Sequence, residues 1–268
     1  MLCLFKSITI AGKIPEPLSL EHLLDRDALN ELADEVYDTK PNLVARLSTK
    51  HGPVVVKWFG WRHPIHYYLS ISFKSRAQTS WDIAHKLLSC GARTPEPLFV
   101  YTKRRRGFIK ENIIITRAIN PHQTVRRLLK TEVQKEIKVK AISDLALSIS
   151  RMHNAGIFHR DITTGNFLVN EIGDVYIVDL NRAKCFKKLS VKQRLHDLKK
   201  LYFKQFGDLE FSQKLLHQFF DVYERESSVY CNWVQEYSSY RKKLLWRRRT
   251  KRYLRRPLGR KQTNSVGV

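Results

Sequence analysis

Four cysteines in 268 residues, Cys3, Cys90, Cys185 and Cys231, never approach one another as a CxxC pair. That argues against a cysteine zinc site or a disulfide framework and suits a reducing compartment. Long hydrophobic runs are missing too, since none approaches the roughly 18 to 20 residues that a bilayer-spanning helix needs. The opening MLCLFKSITIAGKIPEP has only a broken apolar stretch and no clear cleavage site, so no leader peptide and a cytosolic location are expected. Acidic residues are scarce: 25 Asp and Glu against 49 Lys and Arg leave a net charge of +24. Such a surplus implies an anionic partner, whether nucleic acid, an acidic membrane surface, or a phosphorylated or carboxylated substrate. What is present, 43% hydrophobic and 28% charged residues, fits a soluble chain with a sizeable core. The length suits one large domain or two lobes sharing an interface.

The densest information lies between Met152 and Lys184, in MHNAGIFHRDITTGNFLVNEIGDVYIVDLNRAK. A helix ends at Asn154-Ala155-Gly156, and a short strand, Ile157-Phe158, follows. After the polar loop 159–166 come two apolar strands, Phe167–Val169 and Val175–Val178, joined by turn residues 170–174. Three polar side chains therefore sit at strand ends: Asp161, Asn166 after four intervening residues, and Asp179 thirteen positions later. This is the catalytic-loop and metal-aspartate arrangement of protein-kinase-like phosphotransferases. In that chemistry Asp161 accepts the proton of an attacking hydroxyl. Asn166 and Asp179 are the hard oxygen ligands that hold Mg²⁺ against the phosphates of ATP. The plainer reading is that Asp and Asn in a loop only cap and turn the chain. His159 and Arg160 are read as scaffold.

Upstream, residues 1–32 read as a short strand (Leu4–Ile10), a proline turn and a short helix around Leu20–Leu32. Val36-Tyr37, Leu43–Leu47 and Val54–Phe59, separated by DTKPN and STKHGP, form an antiparallel meander. Lys57 ends a run of three valines 104 residues before Asp161, the place of a lysine that pairs the ATP phosphates. Its other reading is a solvated edge residue. Glycine is lacking where a phosphate-covering loop belongs, since the turn 38–42 has none. The N–H groups of that turn remain as a substitute cradle. The helix from about Ser75 to Ser89 should carry an acidic partner for Lys57, yet it holds no Glu. Asp82 is the candidate, with an ordinary exposed helical Asp as the alternative. Gly91 and the prolines at 95 and 97 end this helix. Strands Leu98–Tyr101 and Ile113–Thr116, around the basic turn KRRRG, complete an expected five-stranded sheet, and 117–121 makes a hinge whose backbone would bond adenine. The division expected is an N-lobe over 1–117 and a C-lobe over 118–268.

The second lobe reads as helical. Ile137, Ala141, Leu145, Ile149 and Met152 form a stripe at helical spacing within 132–154. After Asp179 the chain continues Leu180-Asn181-Arg182, and only 17 residues separate Asp179 from Asp197. No Ala-Pro-Glu follows, so the long segment with which protein kinases bind a polypeptide is absent, and the short cleft suits a small or glycan substrate. Arg182 is read either as a contact to an acceptor's carboxylate or phosphate, or as a structural ion pair. The stretch 232–256 reads as a basic amphipathic helix with Trp233, Tyr237, Tyr240 and Leu244 on one stripe. Twelve Lys and Arg and no acid lie between Arg241 and Lys261, a block that fits an anionic membrane surface, with nucleic acid the weaker alternative. The final QTNSVGV reads as frayed.

The segments TPEPL, HNAGIFHRDITTGNFLV and VYIVDLNRAK, with Arg194 and Asp197 in QRLHDLKKLYF, resemble the lipopolysaccharide core kinases of the Kdo/WaaP family. The resemblance covers about residues 33–205 and is most specific in DLNR. It implies an α+β, protein-kinase-like two-lobed fold and ATP- and Mg²⁺-dependent phosphorylation of a Kdo or heptose sugar of the lipopolysaccharide inner core. The acceptor would be lipid-linked, which places the protein peripherally on the cytoplasmic face of the inner membrane. Lys57, Asp161, Asn166 and Asp179 match the family pattern. The first-lobe glutamate does not, since Ser80 stands there. Other readings are an atypical small protein kinase, a small-molecule phosphotransferase, and a non-catalytic nucleotide-binding docking module.

Overall fold

The structure is a computed structural model of the chain and describes residues 6–61, 63–120, 122–132, 134–201 and 209–254. Its first lobe runs β1 (Lys6–Gly12), α1 (Leu20–Leu24), α2 (Arg26–Glu31), β2 (Glu35–Asp38), β3 (Leu43–Leu47), β4 (Val54–Trp58), α3 (Pro64–Tyr68), a 3₁₀ turn (Leu69–Ser72), α4 (Arg76–Ser89), β5 (Pro97–Arg105) and β6 (Phe108–Arg117). The strands form one antiparallel sheet in the order β1-β5-β6-β4-β3-β2. It has six strands rather than five, because β1 pairs over its whole length with β5, from Lys6 opposite Arg105 to Gly12 opposite Phe99. The helix expected over 20–32 is two helices. Asp25 breaks it in an extended conformation and uses its carboxylate to cap the second, accepting from Asp27 and Ala28 N–H.

Strand periodicity sets what each face covers. Leu43, Ala45 and Leu47 of β3, Val54 and Val56 of β4, and Ile113 and Ile115 of β6 bury one face against Leu23 and Leu29. Val100 and Ile114 cover Ala77 of α4 on the other. Each fully buried Leu or Ile here contributes roughly 1.5 to 3 kcal/mol. The KRRRG run is not simply a loop: β5 and β6 continue through it and turn only at Arg106-Gly107, both with positive φ (54° and 82°). Two such residues make the tight hairpin whose twist matches the strands.

The second lobe contains β7 (Gln123–Thr124), α5 (Val125–Lys130), α6 (Lys135–Asn154), β8 (Ile157–Phe158), β9 (Phe167–Val169), β10 (Val175–Ile177), a 3₁₀ turn (Leu180–Arg182), β11 (Lys184–Cys185), α7 (Val191–Leu198), α8 (Leu209–Glu226) and α9 (Trp233–Leu254). Helix α6 is its axis. Ala141, Leu145, Ile149 and Met152 are completely buried, and Ile137 packs at the edge of the same cluster. Gly156 ends α6 at φ +74°, and a Cβ there would stand 2.1 Å from the Phe186 carbonyl oxygen, so only glycine fits. Ile83, Ala84 and Leu87 of α4 belong to this larger cluster, which joins the lobes through one helix. Helix α9 starts inside the core with Trp233 and Tyr237 and runs outward to exposed Leu245 and Trp246. Of its basic block, Arg255, Arg256, Arg260 and Lys261 lie outside the described residues, as does Pro121 of the hinge. Among the described residues no helix is long and apolar enough to cross a membrane.

Candidate active site

The loop 159–166 is held from below. Asp197 of α7 is buried and accepts the main-chain N–H of His159 at 2.7 Å and of Arg160 at 2.6 Å. These bonds retain Arg160 at φ +71°, a conformation that costs a non-glycine residue of order 1 to 3 kcal/mol and persists only where surroundings enforce it. Beneath Asp197 lie His153, 3.4 Å from its carboxylate, and Arg194, fully buried and bonded to Asn154, Ser227 and Ser228. Burial holds His153 below its ordinary pKa against the hydrogen bond and attraction of Asp197, and the positive charge of Arg194 acts in the same direction as burial.

The predicted residues converge above this support. Asn166 donates its side-chain amide to the Asp161 carbonyl oxygen at 2.8 Å, which leaves its own side-chain oxygen as the remaining acceptor. Its carbonyl receives the Val178 N–H at 3.1 Å, fastening the loop beside Asp179. Asp179, two residues past β10, caps the 3₁₀ turn in the left-handed region at φ 63°, ψ 50°, a second enforced outlier. Its carboxylate meets the Lys57 ammonium at 2.6 Å and also accepts from Asn181. Burial opposes its ionisation, but Lys57 outweighs that and holds the carboxyl below the usual range. Asp161 stands between two cations, with Lys200 at 2.5 Å and Arg182 at 3.5 Å. Lys200, just past α7, was not expected. Its only sequence signal is its position three residues after Asp197.

Asp82 is a correction. Its carboxylate is taken by Lys74 and Gln78 on the outer side of α4, and it does not line the cleft beside Lys57. Ser80 lines that cleft, with its hydroxyl donated to the Arg76 carbonyl. The acidic partner of Lys57 here is Asp179. The turn after β2 differs from expectation as well: the Lys40 N–H is taken by Asp38, Pro41 has none, and Arg26 donates to the carbonyls of Thr39, Pro41 and Asn42. Of the N–H groups expected to cradle a phosphate there, that of Lys40 is already used and Pro41 supplies none.

Two cavities meet at this point. One, of about 330 Å³, is a mostly apolar slot between Val44 and Val55 above and Leu168 below, with Lys57 and Asp179 at its inner end. The other, of about 530 Å³, has Asp161, Asp179, Asn181 and Arg182 on its floor and Leu69 and Phe73 in its wall. Asp179 lines both. Among the described residues no group of three or more His, Cys, Asp and Glu gathers as a cation site. The donor set at the junction is carboxylate and amide oxygen, the chemistry that suits a hard cation shared with phosphate.

A β-sheet lobe and a helical lobe clasping a lysine–aspartate pair and a loop Asp–Asn pair define the protein-kinase-like fold class. The solved structure of WaaP in complex with acyl carrier protein has this fold. It matches with a TM-score of 0.58 at 19% identity, covering 92% of this chain and 100% of that one. The lipopolysaccharide kinase (Kdo/WaaP) family model matches residues 59–223, more than half of the sequence, and the chain belongs to that family. It is 24% identical over 121 residues to the 3-deoxy-D-manno-octulosonic acid kinase of Vibrio vulnificus, 45% of this chain and 49% of that protein. It is 26% identical over 158 residues to the lipopolysaccharide core heptose(I) kinase WaaP of Escherichia coli, 55% of this chain and 59% of that protein. The chain spans about half the length of the curated relatives it matches.

Proposed function

We infer that this protein transfers the γ-phosphoryl group of ATP to a hydroxyl of an inner-core lipopolysaccharide sugar, Kdo or heptose. One observation carries the reading: Asp179 lies at the seam of an apolar slot sized for a nucleotide base and a polar cavity floored by Asp161. The slot takes adenine, with Lys57 clamping the α- and β-phosphates. The polar cavity takes the sugar. Asp161 orients the acceptor hydroxyl and removes its proton, and in-line attack follows on the phosphorus. Asn166 and Asp179 would hold Mg²⁺, which supplies neutralisation of the charge that develops on the phosphate oxygens. Arg182, exposed on the cavity floor, faces the carboxylate or phosphate of an anionic acceptor while also pairing with Asp161.

The acceptor is lipid-linked, so the protein works peripherally at the cytoplasmic face of the inner membrane, where the basic α9 meets anionic headgroups. A glycan rather than a polypeptide acceptor is supported by the stretch 180–190, which passes directly from the 3₁₀ turn through β11 to α7 and builds no platform for an extended peptide. Acyl carrier protein, bound in the WaaP structure, is a candidate partner. The test is mass spectrometry of lipopolysaccharide from cells with and without the gene. Loss of one inner-core phosphate, restored by the wild-type chain and not by Asp161→Ala, supports the reading. An unchanged core defeats it.

A further inference from the structure

Between β4 and α4 the chain makes an excursion, described over residues 63–75, that turns five large apolar side chains outward. Ile65, Tyr68, Leu69, Ile71 and Phe73 are each 51 to 62% exposed, five large apolar groups within nine residues. Single exposed apolar residues need no explanation, but a contiguous group does. The excursion is anchored rather than loose. Arg104 donates to the carbonyls of Ser70, Phe73 and Gly107. Ser70 is buried and accepts the Ile109 N–H. A Cβ on Gly107 would lie 2.8 Å from the Ile71 side chain, and the rings of Tyr67 and Tyr68 pack against Phe108, the second edge-on. The tip of the β5–β6 hairpin and the excursion therefore make one rigid lip, apolar along 65–73 and basic at exposed Arg105, Arg106 and Lys110. No Asp or Glu occurs anywhere between Asp38 and Asp82.

The lip is also the cavity wall. Leu69, Ser70 and Phe73 line the same space as Asp161 and Arg182.

We propose that this lip inserts into an anionic bilayer surface, its apolar side chains entering the headgroup–acyl boundary while Arg105, Arg106 and Lys110 meet acidic headgroups, so that the acceptor cavity opens at the membrane. Aliphatic and tyrosine side chains bordered by lysine and arginine are the composition of an interfacial anchor. The charge is complementary to acidic lipid and repels nothing there. The inference deepens the function proposed above, because an acceptor anchored in lipid reaches Asp161 only if the cavity mouth lies at the bilayer. This attachment is distinct from α9, which leaves the second lobe.

The test is co-sedimentation of the full chain with vesicles of phosphatidylethanolamine and phosphatidylglycerol, mixed at about 3:1 to mimic an acidic surface. Roughly 0.5 M NaCl removes most long-range charge attraction and leaves apolar insertion. Wild type should stay on the vesicles in that salt. Ile65→Ser/Tyr68→Ser, which lies outside the cavity lining, should lower partitioning by about tenfold or more, and Ile65→Trp should raise it. The melting temperature of each variant in the absence of vesicles should match wild type. Wild type released fully by salt, or the double variant binding as wild type does, overturns the proposal. So does a double variant that loses an acidic protein partner while keeping vesicle binding, which would make the lip a protein-docking surface. The readout involves no phosphoryl transfer, so an inactive enzyme that still inserts defeats only the function proposed above, and an active one that fails to insert defeats only the lip.

Discussion

The carboxylate of Asp197 accepts the main-chain N–H groups of two consecutive residues, His159 and Arg160, at 2.7 and 2.6 Å. One side chain from α7 thereby sets the entry of the loop that carries Asp161 and Asn166. Replacing Asp197 by Ala leaves two main-chain donors without their acceptor, a loss expected to cost about 1 to 3 kcal/mol for each stranded N–H. Asp197→Asn, which keeps one acceptor oxygen, should cost less. Denaturant unfolding measures both, and equal stability of Asp197→Ala and wild type would mean that the loop is held elsewhere.

Asp161→Ala should lower the turnover of phosphoryl transfer by about two to four orders of magnitude while nucleotide binding, read by calorimetry, is largely kept. A variant with wild-type turnover would remove Asp161 from the chemistry.

Lys200 reaches Asp161 from outside the loop and is partly exposed, so its pairing is worth about 1 kcal/mol after solvent screening. Lys200→Ala should therefore lower kcat about five- to tenfold with the KM for ATP unchanged. Lys200→Arg should restore most of it. A change confined to the KM for ATP would place Lys200 at the nucleotide instead.

Lys57 holds the Asp179 carboxyl below its ordinary pKa against the opposite pull of burial. Removing the cation in Lys57→Met leaves burial opposed only by the weaker pulls of His159 and Arg182, so the Asp179 pKa rises and the acid limb of the pH–activity profile moves to higher pH. For stability the sign follows from the same depression. The stabilising pair is complete above the unfolded carboxylate pKa of about 3.9 and is lost as pH falls through the lower folded value. Kinetics across pH on both proteins checks the first expectation, and an unmoved acid limb would detach Asp179 from the active ionisation.

His153 is buried and neutral, facing Asp197, Tyr223, Arg194 and His159. Its folded pKa lies below the unfolded value of about 6.5, so the unfolded chain takes up the proton first as pH falls. Stability should decline on acidifying from about pH 6.5 downward, and His153→Gln should flatten that decline. Thermal melts from pH 7.5 to 5 decide it.

Much of the site was legible because its geometry is local in sequence. Asp161 and Asn166 share one loop, Asp179 follows the next strand but one, and the main-chain bond from Val178 to Asn166 closes the set over a short span. Lys57 was legible from its place after three β-branched residues in the meander. Asp82 stayed open between two readings because helical spacing alone could not tell which face of α4 turns inward. Its pairing with Lys74 depends on where the excursion 63–75 lies, and that is a tertiary fact. Lys200 was invisible for the same reason: nothing in KKLYF shows that α7 ends against the Asp161 loop. The sixth strand was missed because the pairing of β1 with β5 joins residues some ninety positions apart. The basic run 103–106 hid strand structure because its lysine and arginines mask the alternation that continues through β5.

Arg26 reaches from α2 to three carbonyl groups of the turn after β2, and its guanidinium lies 5.4 Å from the Trp58 ring centroid. A glycine flap can peel back to release a spent nucleotide. A turn held at three carbonyls stays with its sheet, so under the function proposed above exchange of nucleotide would run past a fixed edge rather than beneath a movable one.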